Sequence, residues 1–167
     1  IGARVPTRAV HGAGATAIYT GADAIMLSAE SAAGKYPVEA VTTMNDVAMS
    51  VEKDPTYRSV IEASRVVRRE SVADGIVAAA REIAEATNIK AICCFSQTGT
   101  TASLVARERP HVSIIALTPL MSTARRLALT WGAHCVITPP QDRFKGAVLA
   151  AVSAARAATM VLPLPTS

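Results

Sequence analysis

The sequence predicts an α/β protein in which helices cover a small, mainly parallel sheet. Three short apolar runs in the second half of the chain, 90–95, 112–117 and 134–137, are each followed by a segment with helical spacing. Continuous apolar runs of this length, separated by helices of about ten residues, are typical of buried parallel strands. Hydrophobic residues make up 50% of the chain but aromatic residues only 4%, which favours alanine-rich helices packed closely on a sheet.

The first 54 residues predict a further strand and a long helix. An apolar run at 24–27 predicts a buried strand that ends in a polar loop. A helix begins near Pro37, because a proline at the first helical turn lacks only an N–H group that would have had no partner there. Asp54 and Pro55 end this helix. Its apolar residues recur at helical spacing, at Val38, Val41, Met44, Val47, Ala48 and Val51.

A domain junction is predicted at residues 55–70, where charged and small residues mix without a clean period. Ser71 and Asp74 then match a capping box, in which two side chains satisfy the first backbone N–H groups of a helix. Spacing predicts the buried face of that helix. Its members are Val72, Ile76, Ala80, Ile83 and Thr87.

Three further helices are predicted between and after the apolar runs. They cover residues 100–109, residues 122–132 with Gly132 as the stop, and residues 142–160. No apolar strand follows residue 160, so the predicted sheet is small. The buried face of the last helix is predicted at Phe144, Val148, Ala151, Val152 and Ala155.

The charge pattern argues against one class of function, and the cysteine pattern predicts the cellular compartment. The formal net charge is +4, and the lysines and arginines are scattered without interleaved aromatic residues, which argues against nucleic-acid binding. Cys93, Cys94 and Cys135 lie inside apolar runs and form no C-x-x-C pair. We therefore expect reduced, buried thiols in a cytoplasmic protein.

Neither a membrane span nor a metal site is expected. The longest apolar stretch, 147–164, is interrupted by Arg156 and Pro163. The start of the chain lacks the continuous apolar core of a secretory signal. The histidines have no ligand-like spacing; they are His11, His111 and His134.

Ser28 and Glu30 directly follow the predicted strand at 24–27, at the end where ligands and chemistry collect in α/β proteins. A hydroxyl and a carboxylate there can hold a water molecule or relay a proton. They can equally satisfy backbone N–H groups at the start of a helix. The residues by themselves leave both interpretations open.

A second polar loop joins the first apolar run to the helix at 100–109. It consists of Ser96, Gln97, Thr98, Gly99, Thr100 and Thr101. Hydroxyls and backbone N–H groups at a helix N-terminus favour an anion, and Gly99 permits close backbone approach. No lysine follows the glycine, so the loop is not a nucleotide P-loop. An ordinary Ser/Thr-capped turn is the alternative interpretation.

Longer motifs resemble one family. "PTRA" at 6–9 and "GADAIMLSAESAAGKYPVEAV" at 21–41 resemble the end of the catalytic barrel of pyruvate kinase. "SVADGIVAAAREIAEAT", "SQTGTTASLVARERP", "IIALTP" and "TARRLALTWGAHCVI" then resemble the C-terminal domain of that family, in the same order. The combination of "MLSAESA" with "LTWG" is most similar to bacterial members. The resemblance covers essentially the whole chain.

The resemblance implies the C-terminal part of such an enzyme. Residues 1–54 would be the last two β/α units of a TIM barrel, with a helix around 6–20, a strand at 23–27 and a helix at 37–53. Residues 55–70 would be the junction. Residues 71–167 would be the allosteric domain, a small three-layer α/β unit lacking its last strands.

The resemblance also implies an activity. Pyruvate kinases are cytoplasmic, homotetrameric phosphotransferases of glycolysis that convert phosphoenolpyruvate and ADP to pyruvate and ATP, with Mg²⁺ and K⁺. The lysine that supports the transferring phosphoryl group and the metal-binding carboxylates belong to earlier barrel strands, and nothing in this sequence matches them. We therefore expect this chain alone to be inactive. A non-catalytic module that binds phosphate or sugar phosphate is the alternative.

Site residues follow from the matched motifs. Ser28 and Glu30 would lie at the active-site rim, in the water network that protonates the enolate of pyruvate, and Arg8 would lie near the active site and a subunit contact. The loop at 96–101 would hold a phosphate of an allosteric sugar phosphate or nucleotide. The segment after "PTRA" departs from the family, which usually has a glutamate and a Ser-Asp pair there. It has Val10, Gly12 and Ala13 instead.

Overall fold

The computed structural model describes residues 8–64 and 71–161, and the chain divides into two compact units, 1–67 and 68–167. The first unit is helical over its described residues. Its helices are α1 (Arg8–Tyr19), α2 (Ala29–Ala32), α3 (Pro37–Glu52) and α4 (Pro55–Ala63). Its core consists of Ile18, Val51, Tyr57 and Ile61.

Gly14 of α1 lies against the end of the Met44 side chain of α3. A Cβ atom on Gly14 would lie 2.7 Å from Cε of Met44, closer than two carbon atoms can approach. Met44 is buried on α3, whereas Val38 and Val41, which the periodicity also places on the buried face, are exposed. The glycines after the "PTRA" motif therefore do not prevent the expected helix, and one of them adjoins a buried methionine of α3.

The predicted strand at 24–27 does not form. Residues 24–27 have no regular secondary structure, and Met26 is 84% exposed. A strand needs a neighbour to accept and donate its backbone hydrogen bonds. The described residues of this unit contain no other strand that could supply them.

The predicted junction at 55–70 is partly helical. Asp54 caps α4, because its carboxylate accepts a hydrogen bond from the Thr56 backbone N–H at 2.8 Å. The Tyr19 hydroxyl donates to the same carboxylate at 2.8 Å and joins α1 to this cap. Tyr57 and Ile61 are buried in the core of the first unit. Residues 55–63 thus belong to the packed helices of that unit, and 65–70 lie outside the described residues.

The second unit confirms the α/β class. Its strands form one sheet in the order β1-β2-β3, and both pairings are parallel. The central strand β2 is almost wholly buried. Its elements are α5 (Val72–Ala86), β1 (Ala91–Phe95), α6 (Thr100–Arg107), β2 (Ser113–Thr118), α7 (Met121–Leu127), β3 (Ala133–Ile137) and α8 (Phe144–Val161).

Side chains on the two faces of the sheet form two separate cores. On one face, Ile114 and Ala116 of β2 pack with buried residues of α5 and α6. On the other face, Ile115 and Leu117 pack against Ala154 of α8. Alternate residues of one strand point to opposite faces, so β2 lies between helices on both sides. The unit therefore has the predicted three layers.

Helix α7 is shorter than the spacing predicts. It ends at Leu127, and the chain turns through 128–132 before β3 begins. Gly132 has a φ of 66°, a conformation that suits glycine, and its carbonyl accepts a hydrogen bond from the Ile114 N–H at 3.1 Å. A helix continuing to residue 132 would prevent this return to the sheet.

The buried face of α5 also differs from the prediction. Val72, Ile76 and Ile83 are 82%, 63% and 56% exposed. Asp74 and Arg81 instead face inward, together with Val77, Ala78 and Ala84. Arg107 of α6 donates to Asp74 at 2.6 Å, and this ion pair joins the inward face of α5 to α6.

The predicted buried face of α8 also differs from the observed one. Phe144, Val148 and Val152 are exposed, by 86%, 43% and 45%. Ala154 and Ala158 are buried instead, and Ala151 and Ala155 pack at the edge of the core. Alanine, which has the smallest side chain after glycine, allows this helix to lie close to the sheet.

The Asp74–Arg107 pair makes the second unit sensitive to acid. The capping box is confirmed, with Ser71 and Asp74 bonded to each other's backbone N–H groups. Hydrogen bonds from Arg107 and Ser71 lower the pKa of the Asp74 carboxyl from 3.8 to about 2. The folded state therefore favours the ionised Asp74 carboxylate. The contribution of this carboxylate to the stability of the fold is complete above pH 3.8 and is lost as the pH falls towards 2.

We expect the free energy of unfolding of the second unit to fall between about pH 4 and pH 2, and to fall less steeply in Asp74→Asn. Urea titrations followed by fluorescence of Trp131, the one tryptophan of the chain, measure this. Asp142→Asn, at an exposed carboxylate, is the control and should keep the wild-type slope. If the free energy of unfolding depends equally on pH in all three proteins, Asp74 is not the source of the acid sensitivity.

Candidate functional site

The polar loop Ser96–Thr101 lies at the carboxyl end of β1, directly before α6. The Ser96 backbone N–H donates to the Leu117 carbonyl at 3.0 Å and extends the pairing with β2 by one residue. Ser96 is buried, whereas Gln97, Thr98, Thr100 and Thr101 are exposed. The first residue of the loop is thus bonded to the central strand, Gly99 is also buried, and the other four residues face solvent.

Gly99 allows the loop to turn into α6. It is the N-cap residue, with a φ of 86°, in the left-handed region that glycine favours. A Cβ atom there would also lie 3.2 Å from Cδ2 of Leu127. No side chain caps α6, so the backbone N–H groups of its first turn are available to an anion.

Helix α7 holds the loop from the other side. The Thr123 hydroxyl donates to the Gln97 carbonyl at 2.6 Å, and the Arg126 guanidinium donates to the Thr98 carbonyl. The hydroxyls of Thr98 and Thr100 share a hydrogen bond of 3.0 Å. The structure therefore brings the six predicted loop residues together and adds two residues that the loop sequence does not contain.

Sequence reasoning missed Thr123 and Arg126. Both lie in the segment predicted as a helix, and their spacing of three places them on one side of it. The available signal was topological, because α7 follows β2 and β2 is the neighbour of β1. Arg126 supplies a positive charge beside a loop that has no lysine or arginine of its own.

The predicted site residues of the first unit lie at two places, two of them at the short helix α2 and one at the start of α1. Ser28 precedes α2 and Glu30 lies in its first turn. The Ser28 side chain makes no capping hydrogen bond, which argues against the capping interpretation for this residue. Arg8 is the first residue of α1, and its side chain lies outside the described part. The roles of all three remain predictions.

The cysteines are free, as expected, but only Cys94 is buried; Cys93 is exposed and Cys135 is half-buried. The expectation of three buried thiols was wrong for Cys93 and Cys135, which lie on the edge strands β1 and β3. Desolvation raises the pKa of all three thiols, that of Cys94 to about 12. These groups stay protonated near neutral pH, so they are poor nucleophiles.

Residues 8–64 and 71–161 contain no group of three or more histidine, cysteine, aspartate or glutamate side chains that could hold a metal ion. They therefore do not fit the Mg²⁺ site that the resemblance implies for the whole enzyme. Of the helices in the described part of the chain, none is long and apolar enough to cross a membrane.

Comparison with known families agrees with both parts of the resemblance. The family model described as "Pyruvate kinase, alpha/beta domain" matches residues 74–163, more than half of the chain, and includes the loop at 96–101. The chain belongs to the pyruvate kinase family. The model described as "Pyruvate kinase, barrel domain" matches residues 2–41, which include Arg8, Ser28 and Glu30.

Individual relatives support the same assignment. A pyruvate kinase of Methylorubrum extorquens is 50% identical over 134 residues, which are 80% of this chain and 28% of that protein. One of Agrobacterium vitis is 42% identical over 150 residues, 90% of this chain and 32% of the relative. This chain thus spans about a third of the length of the curated pyruvate kinases that it matches.

Solved structures show the same relationship. A crystal structure of pyruvate kinase from Cryptosporidium parvum superposes on this chain with a TM-score of 0.84 and 30% identity. The superposed part is 96% of this chain and 33% of the Cryptosporidium parvum chain. Pyruvate kinase from Pyrobaculum aerophilum, at 24% identity and a TM-score of 0.73, shares the fold. The sequence-based assignment to the pyruvate kinase family is confirmed.

Proposed function

We propose that this chain is the C-terminal part of a pyruvate kinase, and that its second unit binds a phosphate group of a regulatory metabolite on the loop Ser96–Thr101. The observation that carries the binding proposal is the uncapped first turn of α6, preceded by the left-handed Gly99. Backbone N–H groups, three exposed threonine hydroxyls and the positive end of the helix converge there.

The whole enzyme would transfer a phosphoryl group from phosphoenolpyruvate to ADP in the cytoplasm, as a tetramer that uses Mg²⁺ and K⁺. Ser28 and Glu30 would then serve in the relay that protonates the enolate of pyruvate, and Arg8 would lie near that site. The match of residues 2–41 to the barrel family supports this assignment. A binding module without catalysis, the second candidate, has no use for a barrel segment that ends in Ser28 and Glu30.

Phosphate binding to the loop is expected to be weak and to depend on Thr101. A millimolar dissociation constant, about 4 kcal/mol, suits a site that holds one phosphate. Thr101→Glu should abolish binding, because a carboxylate in the first turn of α6 repels the anion. That carboxylate also suits the helix dipole, so the helix itself should stay intact.

The test is a titration with inorganic phosphate, followed by the amide signals of Gly99, Thr100 and Thr101. Thr42→Glu, which adds the same charge at an exposed position of α3, is the control and should respond as the wild type does. If phosphate shifts other amides of the wild-type protein and leaves these three unchanged, the loop is only a helix start.

A further inference from the structure

Two side chains of α7 donate hydrogen bonds to consecutive carbonyl groups of the loop Ser96–Thr101. Thr123, only 4% exposed, donates to the Gln97 carbonyl at 2.6 Å, and Arg126 donates to the Thr98 carbonyl. The residues lie three apart on one helix, so a single element fixes both peptide groups of the turn.

The orientation of these carbonyls determines where the neighbouring N–H groups point. In a planar trans peptide the N–H bond is directed opposite to the C=O bond of the same group, and the described chain contains no cis peptide. The carbonyls of Gln97 and Thr98 are directed at α7. The N–H groups of Thr98 and Gly99 are therefore directed away from α7.

Arg126 also places a cation at the start of α6. Its Nη2 atom would lie 3.4 Å from a Cβ atom built on Gly99, so the guanidinium adjoins the residue that begins the helix. The positive charge adds to that of the helix N-terminus at the same point. Two carbonyl oxygens that could repel an anion are, at the same time, occupied by donors.

We propose that Thr123 and Arg126 are positioning residues of this phosphate site. Thr123 and Arg126 hold the loop carbonyls so that the N–H groups of Thr98 and Gly99 face the ligand, and Arg126 supplies the positive charge that the loop lacks. The ligand class is a phosphate monoester carried as a dianion. The proposal rests on the function proposed for the loop.

The test compares two neighbouring arginines in the full 167-residue chain. Arg126→Gln and Arg125→Gln remove the same charge from the same helix, and both side chains are exposed, but only Arg126 donates to the loop carbonyl. Titration with inorganic phosphate should show a dissociation constant raised about five-fold in Arg126→Gln, the effect of one lost hydrogen bond, and less than about two-fold in Arg125→Gln. Arg126→Lys, which keeps the charge, should recover part of the affinity.

A second pair of variants tests the hydroxyl. Thr123→Val removes the donor to Gln97 at nearly constant volume, whereas Thr123→Ser keeps it. Thr123→Val should weaken phosphate binding and shift the Thr98 amide signal, while Thr123→Ser should resemble the wild type. Urea unfolding followed by Trp131 fluorescence identifies any variant that has lost the fold, and affinities are compared only among folded proteins.

The outcomes separate this inference from the function on which it rests. If wild-type protein binds phosphate at Gly99–Thr101 and Arg126→Gln binds it as tightly as Arg125→Gln does, the positioning role is overturned and the phosphate site stands. If the wild-type amides do not respond to phosphate at all, both proposals fail. A selective loss in Arg126→Gln and Thr123→Val supports the inference.

Discussion

Purified protein spanning residues 1–167 is expected to form no pyruvate from phosphoenolpyruvate and ADP, even with Mg²⁺ and K⁺ present. Phosphoryl transfer depends almost entirely on groups that position the substrates and stabilise charge, namely metal ions and cationic side chains. The described residues contain no cluster that could hold a metal ion. The barrel-family match is confined to residues 2–41, and the resemblance assigns the phosphoryl-supporting lysine to an earlier part of the barrel.

The structure of the first unit gives a second reason for inactivity. Ser28 and Glu30, the proposed relay residues, follow a segment that forms no strand, and the described residues of this unit contain no sheet that could fix their positions. A misplacement of about 1 Å at a reacting group is enough to cost roughly 100-fold in rate. Even if substrates bound, these two side chains would be poorly aligned for proton transfer.

A coupled assay of pyruvate formation measures this, with the Methylorubrum extorquens pyruvate kinase as the positive control. Phosphate binding by the loop, measured on the same sample, shows that the second unit is folded. Pyruvate formation that depends on both ADP and Mg²⁺, and that is lost in Glu30→Gln, would contradict the prediction and would place a working active site in this chain.

Ile114→Ala should lower the free energy of unfolding of the second unit by about 2–5 kcal/mol. Ile114 lies on the central strand β2 and is fully buried in the core beneath α5 and α6. Truncation removes apolar contacts and leaves a cavity in a layer fixed by neighbours on both sides. Urea unfolding followed by Trp131 fluorescence gives the value directly.

Ile83→Ala is the matched control, because it removes the same atoms from α5. The helical periodicity assigns Ile83 to the buried face, but the structure leaves it 56% exposed. We expect a loss below about 1 kcal/mol, in the range of exposed substitutions. A loss equal to that of Ile114→Ala would show that the periodicity was right and that α5 is rotated from the described position.

Features that depend on a few neighbouring residues could be predicted from the sequence. The apolar runs at 90–95, 112–117 and 134–137 correspond to β1, β2 and β3 to within about one residue at each end. The capping box of Ser71 and Asp74 was also recognisable, because both partners lie within one helical turn. The loop Ser96–Thr101, for which phosphate binding is proposed, belongs to the same group of features, since its hydroxyls, its glycine and the helix start are consecutive in the chain.

Features that depend on a distant partner were decided only by the tertiary structure. The segment at 24–27 has the composition of a strand but forms none, because the described part of its unit contains no strand to pair with it. The inward face of α5 carries Asp74, whose partner Arg107 lies 33 residues away. Arg126 reaches the Thr98 carbonyl over 28 residues. The periodicity of a sequence shows which positions are apolar. Burial and hydrogen bonding also depend on which group lies opposite each position, and the packing of the helices and the sheet determines that group.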